Sequence, residues 1–264
     1  MNHSFDKASL LGSLRLFHNM DADSLRKLAR LVKLKRFTAG ASIIVEGESI
    51  VPGTRAAESD GLYILLVGRV EISVTWIADM LTLIQLLYSG DIFGEGALIT
   101  GLPRNATAVS ATDTTLLMLP ASAYRYMREH DTDLTLALHD VLFRGMALHQ
   151  QRGNQLTSLA SISPLWLRMV KLLTLVARAD RSTEGGYAVK HLSRDQLATL
   201  LHVHRTTVSG ILGDLERRDL IARERSKISR IVIPNMGKLH TVLKDAGFGD
   251  EEEGGVGQER ADGS

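Results

Sequence analysis

Cysteine is missing altogether from the 264 residues. Its absence excludes disulfides, thiolate zinc sites, cysteine-ligated iron–sulfur clusters, a cysteine nucleophile and thiol-based redox sensing. Long apolar runs are missing too. The longest, Trp76 to Tyr88, spans 13 residues and is interrupted by Asp79, too short and too polar to cross a bilayer of about 30 Å, so no membrane partner is expected. The N-terminus has no basic start followed by an apolar run and a small-residue cleavage site, which leaves the cytoplasm as the expected location. No G-x-x-x-x-G-K-[ST] pattern occurs, and its absence removes the simplest case for nucleotide hydrolysis. Nothing resembles a nucleophile–base pair or a metal-ligand cluster, so neither an enzyme nor a metal site is expected.

What is present is an ordinary folding composition, 44% hydrophobic and 23% charged, over a length suited to two domains. The formal charge of +1 conceals a sorted distribution. Residues 190–245 hold eleven Lys/Arg against six Asp/Glu, whereas 246–264 hold one Arg against six acids. The acidic, glycine-rich tail cannot bury enough surface to offset its ordering entropy and is expected to be disordered.

Asp21 begins an amphipathic helix with Leu25, Leu28 and Val32 on one face. Beyond Phe37 the pattern changes to short apolar or alternating runs separated by turns: Ser42 to Glu46, Leu62 to Val67, Val70 to Val74, Leu81 to Tyr88 and Thr114 to Leu119. These predict strands of a sandwich or jelly roll, with a long loop between Glu46 and Leu62. Thr132 to Ser161 is helix-compatible for close to thirty residues, about 45 Å at 1.5 Å per residue. Its seam of Leu134, Leu138, Val141, Gly145, Leu148, Arg152, Gln155 and Leu159 has heptad-like spacing. A subunit interface is the natural use; lengthwise packing on its own domain is the alternative. Ser163-Pro164 then reads as a cap and first residue of a new helix, at a hinge.

Ser193 and Gln196 fit a capping box and open a short helix. A second helix places Val208, Ile211, Leu212 and Leu215 toward a core and leaves Arg205, Thr206, Ser209 and Gly210 on the other face. Small polar groups and an arginine at the amino end of a helix suit a major-groove reader. Leu220 to Arg223 and Ser229 to Ile233 flank a basic hairpin, which includes Lys227 and can touch phosphates as a wing. Residues 187–234, LSRDQLATLLHVHRTTVSGILGDLERRDLI above all, resemble the winged helix-turn-helix of the CRP/FNR family of bacterial regulators. The resemblance implies DNA contacts from Ser193, Arg194, His204, Arg205, Thr206, Thr207, Ser209, Gly210 and Lys227. Thr206 and Gly210 depart from the Glu and Arg common in the cyclic-AMP receptor branch. The H-x-H of His202 and His204 lacks a third ligand nearby and reads as surface histidines.

The sharpest motif is Phe93 to Ala108, FGEGALITGLPRNATA. A cyclic phosphodiester needs a cation for its exocyclic oxygens and backbone N–H groups beside them, and its ribose 2′-OH needs an acceptor. Arg104, the backbone of Gly94, Glu95, Gly96, Ala97, Asn105 and Ala106, and the Glu95 carboxylate meet these needs. The bland alternative is a Glu95–Arg104 ion pair that only closes the loop. FGE-x-AL and PR-x-AT strongly resemble the phosphate-binding cassette of cyclic-nucleotide-binding domains, over residues 16–130. Counting back from the hinge puts Arg152 and Gly153 where the cyclic-AMP receptor branch contacts the base, and Arg152, Asn154 or Gln155 is the candidate for a purine edge, from either subunit; polar residues on a frayed helix end are the alternative.

The expected fold is α+β: an N-terminal β-roll (jelly roll) cyclic-nucleotide-binding domain over 1–131, a dimerisation helix and hinge over 132–163, a C-terminal winged helix-turn-helix over 164–245 and a disordered tail over 246–264. The resemblance implies a homodimeric transcription regulator whose effector is cAMP or cGMP, whose partners are double-stranded DNA and a second copy, and for which RNA polymerase is a further partner. Two rivals stay open, a ligand-independent DNA-binding regulator on the same fold and a signalling subunit whose winged domain binds protein.

Overall fold

Two short helices lead the chain, α1 (Lys7–Gly12) and α2 (Ala22–Leu31). Asp21 caps α2 by accepting from the backbone N–H of Asp23 and Ser24, at 2.9 Å each. The computed structural model describes residues 6–50, 60–75, 81–180, 186–190, 192–225 and 229–248. Residues 51–59 of the expected loop, Lys227 of the expected wing and 249–264 of the acidic tail lie outside the described residues.

Strands β1 (Lys33–Phe37), β2 (Ser42–Ile44), β3 (Gly61–Val67), β4 (Val70–Thr75), β5 (Leu81–Leu87) and β6 (Ile92–Phe93) follow, then helix α3 (Glu95–Thr100), β7 (Thr107–Ser110), β8 (Thr114–Pro120), α4 (Ala121–His130) and α5 (Thr132–Ser158). The strands form two antiparallel four-stranded sheets, in the orders β1-β8-β3-β6 and β2-β7-β4-β5. Strands β3 and β8 read as unbroken apolar runs because both of their faces are covered. Leu62, Ile64, Leu66, Leu117 and Leu119 pack against the helices with Phe17, Leu28, Tyr124 and Leu138. Tyr63, Leu65, Leu116 and Met118 face Ile44, Val70, Leu87 and Ala108 of the other sheet. Strand β4 departs from the expected alternation after Ile72: the register shifts between Ile72 and Ser73, so Ser73 is buried and Val74 only half-buried.

The structure corrects the reading of α5. Leu134, Leu138, Val141, Leu142 and Gly145 are buried, and the four apolar side chains belong to the core of their own domain. Most of the apolar part of the seam is therefore the domain-packing face, because a 3.6-residue helix lying on a core has nearly the spacing of a heptad. The apolar residues left exposed are Leu136 at 62%, Phe143 at 70% and Met146 at 45%, a second stripe on another face of the helix.

The chain divides into two compact units, residues 1–155 and 156–264. In the second, α6 (Leu165–Val176) is followed by β9 (Arg178–Ala179), β10 (Tyr187–Lys190), α7 (Arg194–Leu201), α8 (Arg205–Arg217), β11 (Ala222–Arg225), β12 (Ser229–Ile233) and α9 (Met236–Asp245). Helix α6 starts one residue later than its sequence suggests: Pro164 is itself the cap, Ser163 precedes it through a cis bond, and no side chain caps this end. The antiparallel sheet runs β11-β12-β10-β9. The guanidinium of Arg218 lies 4.2 Å from the Trp166 ring centroid, a cation–π contact. Lys238 donates to the carbonyls of Arg218 and Asp219 beyond the end of α8, where a cation is favoured.

Candidate functional site

Strand β6 ends at Gly94, whose φ of +83° lies in the left-handed region. A Cβ there would come within 3.0 Å of Gly61 O and Ile44 Cδ1 and 3.1 Å of Arg104 Nη1, so backbone conformation and space both demand glycine. The turn launches α3, a helix that the sequence motif shows only as glycine punctuation. Gly101, also left-handed, ends it with its N–H on Ala97 O.

Arg104 follows on the loop into β7. Its backbone pairs with the segment after β2, Arg104 N to Glu48 O at 2.7 Å and Gly47 N to Arg104 O at 2.8 Å. The residue is 4% exposed. Nη1 donates to Gly94 O at 2.6 Å, and Nη2 donates to Asp60 Oδ1 at 2.7 Å and Gly61 O at 2.8 Å. Nε is buried without a hydrogen-bond partner. The loop-closing Glu95–Arg104 pair does not form; Asp60 takes that place, and Glu95 is half-buried with no ion pair or hydrogen bond among the described residues. No sequence signal points to Asp60, because 44 positions separate it from Arg104. Asp60 Oδ1 also accepts from Tyr63 OH at 2.8 Å. Burial first, and then the Asp60 charge, push the Tyr63 hydroxyl above its ordinary range.

The two halves of the cassette line one cavity of about 160 Å³. Gly94, Glu95, Gly96, Ala97, Arg104, Asn105 and Ala106 are all in its wall. Opposed strands contribute a cross-strand row, Ile44–Ala108–Ile72–Gln85, whose members are register partners across β2, β7, β4 and β5. Partners in register share a face of the sheet, so this row paves the cavity with three apolar side chains and one amide.

From α5, the residue in the wall is His149. Arg152, Asn154 and Gln155, the candidates from counting back along the helix, are not in it. Arg152 is one helical turn beyond His149 and is held by Asp91 through Nη1, 2.8 Å from each carboxylate oxygen. Asn154 is exposed. The buried Asp91 carboxylate, 61 positions away, holds Arg152 at a place that helical position alone does not show. Burial raises the Asp91 carboxyl, and His149, Arg152 and the Tyr88 N–H together outweigh that and hold it below the usual range.

The second candidate surface is formed by α7 and α8. The capping box is complete: Ser193 Oγ accepts from Gln196 N at 3.1 Å and Gln196 Oε1 accepts from Ser193 N at 2.8 Å. His202 closes α7 in the left-handed conformation at φ +54°. His204 is the N-cap of α8, and its Nδ1 lies 2.9 Å from Thr206 Oγ1. The two histidines are thus used at the turn, and no group of three or more metal-ligating side chains forms among the described residues. Val208, Ile211, Leu212 and Leu215 are buried. His204, Arg205, Thr206, Thr207 and Gly210 are exposed and Ser209 is half-exposed, as are Ser193 and Arg194 exposed at the start of α7. Arg205 Nη1 lies 3.1 Å from Asp195 Oδ2, a pair joining the starts of the two helices that no sequence pattern suggests.

A family profile described as "Cyclic nucleotide-binding domain" matches residues 34–131, and one described as "Crp-like helix-turn-helix domain" matches residues 168–242. The chain is similar to the transcriptional regulator SdrP of Thermus thermophilus, 31% identical over 205 residues that cover 77% of this chain and 92% of that one. It is 24% identical to the CRP-like cAMP-activated global transcriptional regulator of Mycobacterium tuberculosis over 220 residues, 83% of this chain and 93% of the relative. Among solved structures, a CRP-family transcriptional regulator from Thermus thermophilus superposes with a TM-score of 0.59 at 25% identity, covering 81% of this chain and 97% of that one. With a cassette-lined cavity in one unit and a capped helix pair in the other, the chain belongs to the CRP/FNR family of DNA-binding transcription regulators and is not an enzyme.

Proposed function

We propose that the protein is a cyclic-nucleotide-responsive regulator that acts in the cytoplasm as a homodimer. The observation that carries the reading is Arg104, a buried guanidinium in the wall of a cavity that also holds both halves of the cassette. An arginine is kept at 4% exposure at a large desolvation cost, and its Nε still lacks an acceptor. A cyclic phosphodiester supplies anionic oxygens for Arg104 and for the backbone N–H groups of Gly96, Ala97 and Ala106. Its ribose 2′-OH donates to Glu95, which has no other partner among the described residues. The mycobacterial relative is named as cAMP-activated, which supports cAMP as one candidate; cGMP is the other.

The exposed Leu136–Phe143–Met146 stripe of α5 is the pairing face, so two α8 helices reach successive major grooves about 34 Å apart. Arg205 reads a base edge, with His204, Thr206, Thr207, Ser209 and Gly210 beside it. Ser193, Arg194 and Lys227 contact the phosphates. RNA polymerase is the further partner expected of a DNA-bound regulator. The effector shifts the pair of reading helices only by as much as it binds one arrangement better than the other.

One observation favours a second reading, a regulator that needs no ligand: both terminal nitrogens of Arg104 are already engaged within the protein. The two readings separate in one experiment. Operator DNA is selected from random duplexes, and its affinity is measured at fixed salt with and without cAMP and cGMP, for the wild type and for Arg104→Lys. The sensor reading expects a nucleotide to tighten operator binding in the wild type and not in R104K. Equal operator affinity in all conditions selects the ligand-independent regulator.

A further inference from the structure

The reader carries one carboxylate that neither base reading nor phosphate contact has so far used. Asp195 is the single acidic residue between Ser193 and Gly210, and it is exposed beside Ser193 and Arg194 at the start of α7. A negative charge placed among residues that meet DNA repels its phosphates. Capping does not require it, because the box of α7 is complete with Ser193 and Gln196. An acid in the first turn does suit the helix dipole, which accounts for the charge but not for the partner it takes.

That partner is Arg205, the first residue of α8. A cation there faces the unfavourable end of the helix dipole, and Asp195 Oδ2, 3.1 Å from Arg205 Nη1, offsets it from the neighbouring helix. Both side chains are well exposed, so the pair contributes little to folding. What it fixes is the guanidinium. With Nη1 drawn to Asp195, Nη2 and Nε remain to donate side by side, the arrangement that meets O6 and N7 of guanine. A fork held before DNA arrives loses less freedom when it makes that contact.

We infer that Asp195 is a specificity-determining residue of the reader, positioning Arg205 for guanine and setting a negative charge against DNA that offers only phosphates. The inference rests on the reading of Arg205 as a base contact. Where guanine is missing, Arg205 cannot make its paired contact and Asp195 adds repulsion, so attraction and repulsion discriminate together.

The test is a fluorescence-anisotropy titration of the full chain at fixed salt, in the nucleotide condition that binds operator most tightly. The proteins are the wild type, Asp195→Asn, Arg205→Ala and the double variant, with circular dichroism to check folding. D195N keeps the size of the side chain and removes its charge. The duplexes are the selected operator, base-substituted operators that locate the guanine whose preference is lost in R205A, and an unrelated sequence of the same length. In D195N the ratio of operator to unrelated affinity is expected to fall about tenfold, with unrelated DNA bound more tightly and the guanine preference reduced. In the double variant the guanine preference is expected to stay where R205A alone puts it. A wild-type ratio in D195N, an equal gain on every duplex included, or an intact guanine preference in D195N overturns the inference and leaves Arg205 as the base reader. If no guanine preference is lost in R205A, the base-reading role of Arg205 falls and this inference with it.

Discussion

Arg104 and Arg205 are the two arginines on which ligand contact is proposed, and their surroundings differ in kind. Arg104 is 4% exposed and gives three hydrogen bonds to two carbonyls and a carboxylate. The side chain of Arg205 is 60% exposed and faces one carboxylate, Asp195, that is equally open to water. The buried guanidinium of Arg104 is part of the packing, so it cannot be removed without taking from Asp60 its cation and leaving it only the Tyr63 hydroxyl and the Gly61 N–H. A guanidinium on the reading helix is screened by solvent, contributes little to folding, and stays available to a partner.

Substitutions at the two sites test this contrast. Arg104→Ala is expected to cost about 3–5 kcal/mol of stability in denaturant unfolding, because it removes a 4%-exposed side chain with its three hydrogen bonds and takes the cation from the half-buried Asp60; a loss under about 1 kcal/mol would erase the distinction. Asp91→Asn extends the comparison to another buried charge and is expected to cost about 2 kcal/mol at neutral pH. Its pH dependence has a definite sign. The folded-state value for Asp91 is depressed, so its contribution is present above the unfolded value of about 3.9 and is lost as pH falls through the folded one. Unfolding curves of wild type and D91N should therefore converge in acid.

Arg205→Ala is expected to change stability by less than about 0.5 kcal/mol while weakening selected operator DNA by about 1–3 kcal/mol, read by a gel-shift titration. A large fall in melting temperature would show that Arg205 is structural after all. Gly210→Ala gives the smallest effect, a gain of about 1 kcal/mol in thermal stability, since glycine is disfavoured in a helix interior and an added Cβ meets nothing within 4 Å.

Much of the reader unit is legible in the sequence because its signals are local. The Ser193–Gln196 box and the Val208, Ile211, Leu212 and Leu215 spacing each lie within one or two helical turns, and the structure forms both. The cassette is legible as a motif, although α3 is hidden in its glycines. Strands β1, β6, β7 and β9 carry no clear pattern: β1 is an edge strand rich in Lys and Arg, β6 and β9 have two residues each, and β7 begins within the last two residues of the motif. Helix α9 is obscured although Asn235 caps it, because Pro234 and Gly237 interrupt its pattern. What cannot be read are the partnerships between distant positions. Asp60 with Arg104 and Asp91 with Arg152 span 44 and 61 positions, and a carboxylate in the sequence carries no mark of the cation that will bury it. The seam of α5 misleads for a related reason, since periodicity gives the spacing of a face and not what covers it.

The two apolar faces of α5 restrict how this helix can move. One holds Leu134, Leu138, Val141 and Leu142 in the core, and the other displays Leu136, Phe143 and Met146. Spinning such a rod about its long axis would lift buried leucines into water whichever way it turned. Sliding or tilting together with its own β-roll keeps those leucines seated, so any signal leaving the cavity through α5 travels as displacement of a whole body rather than as torsion of one helix.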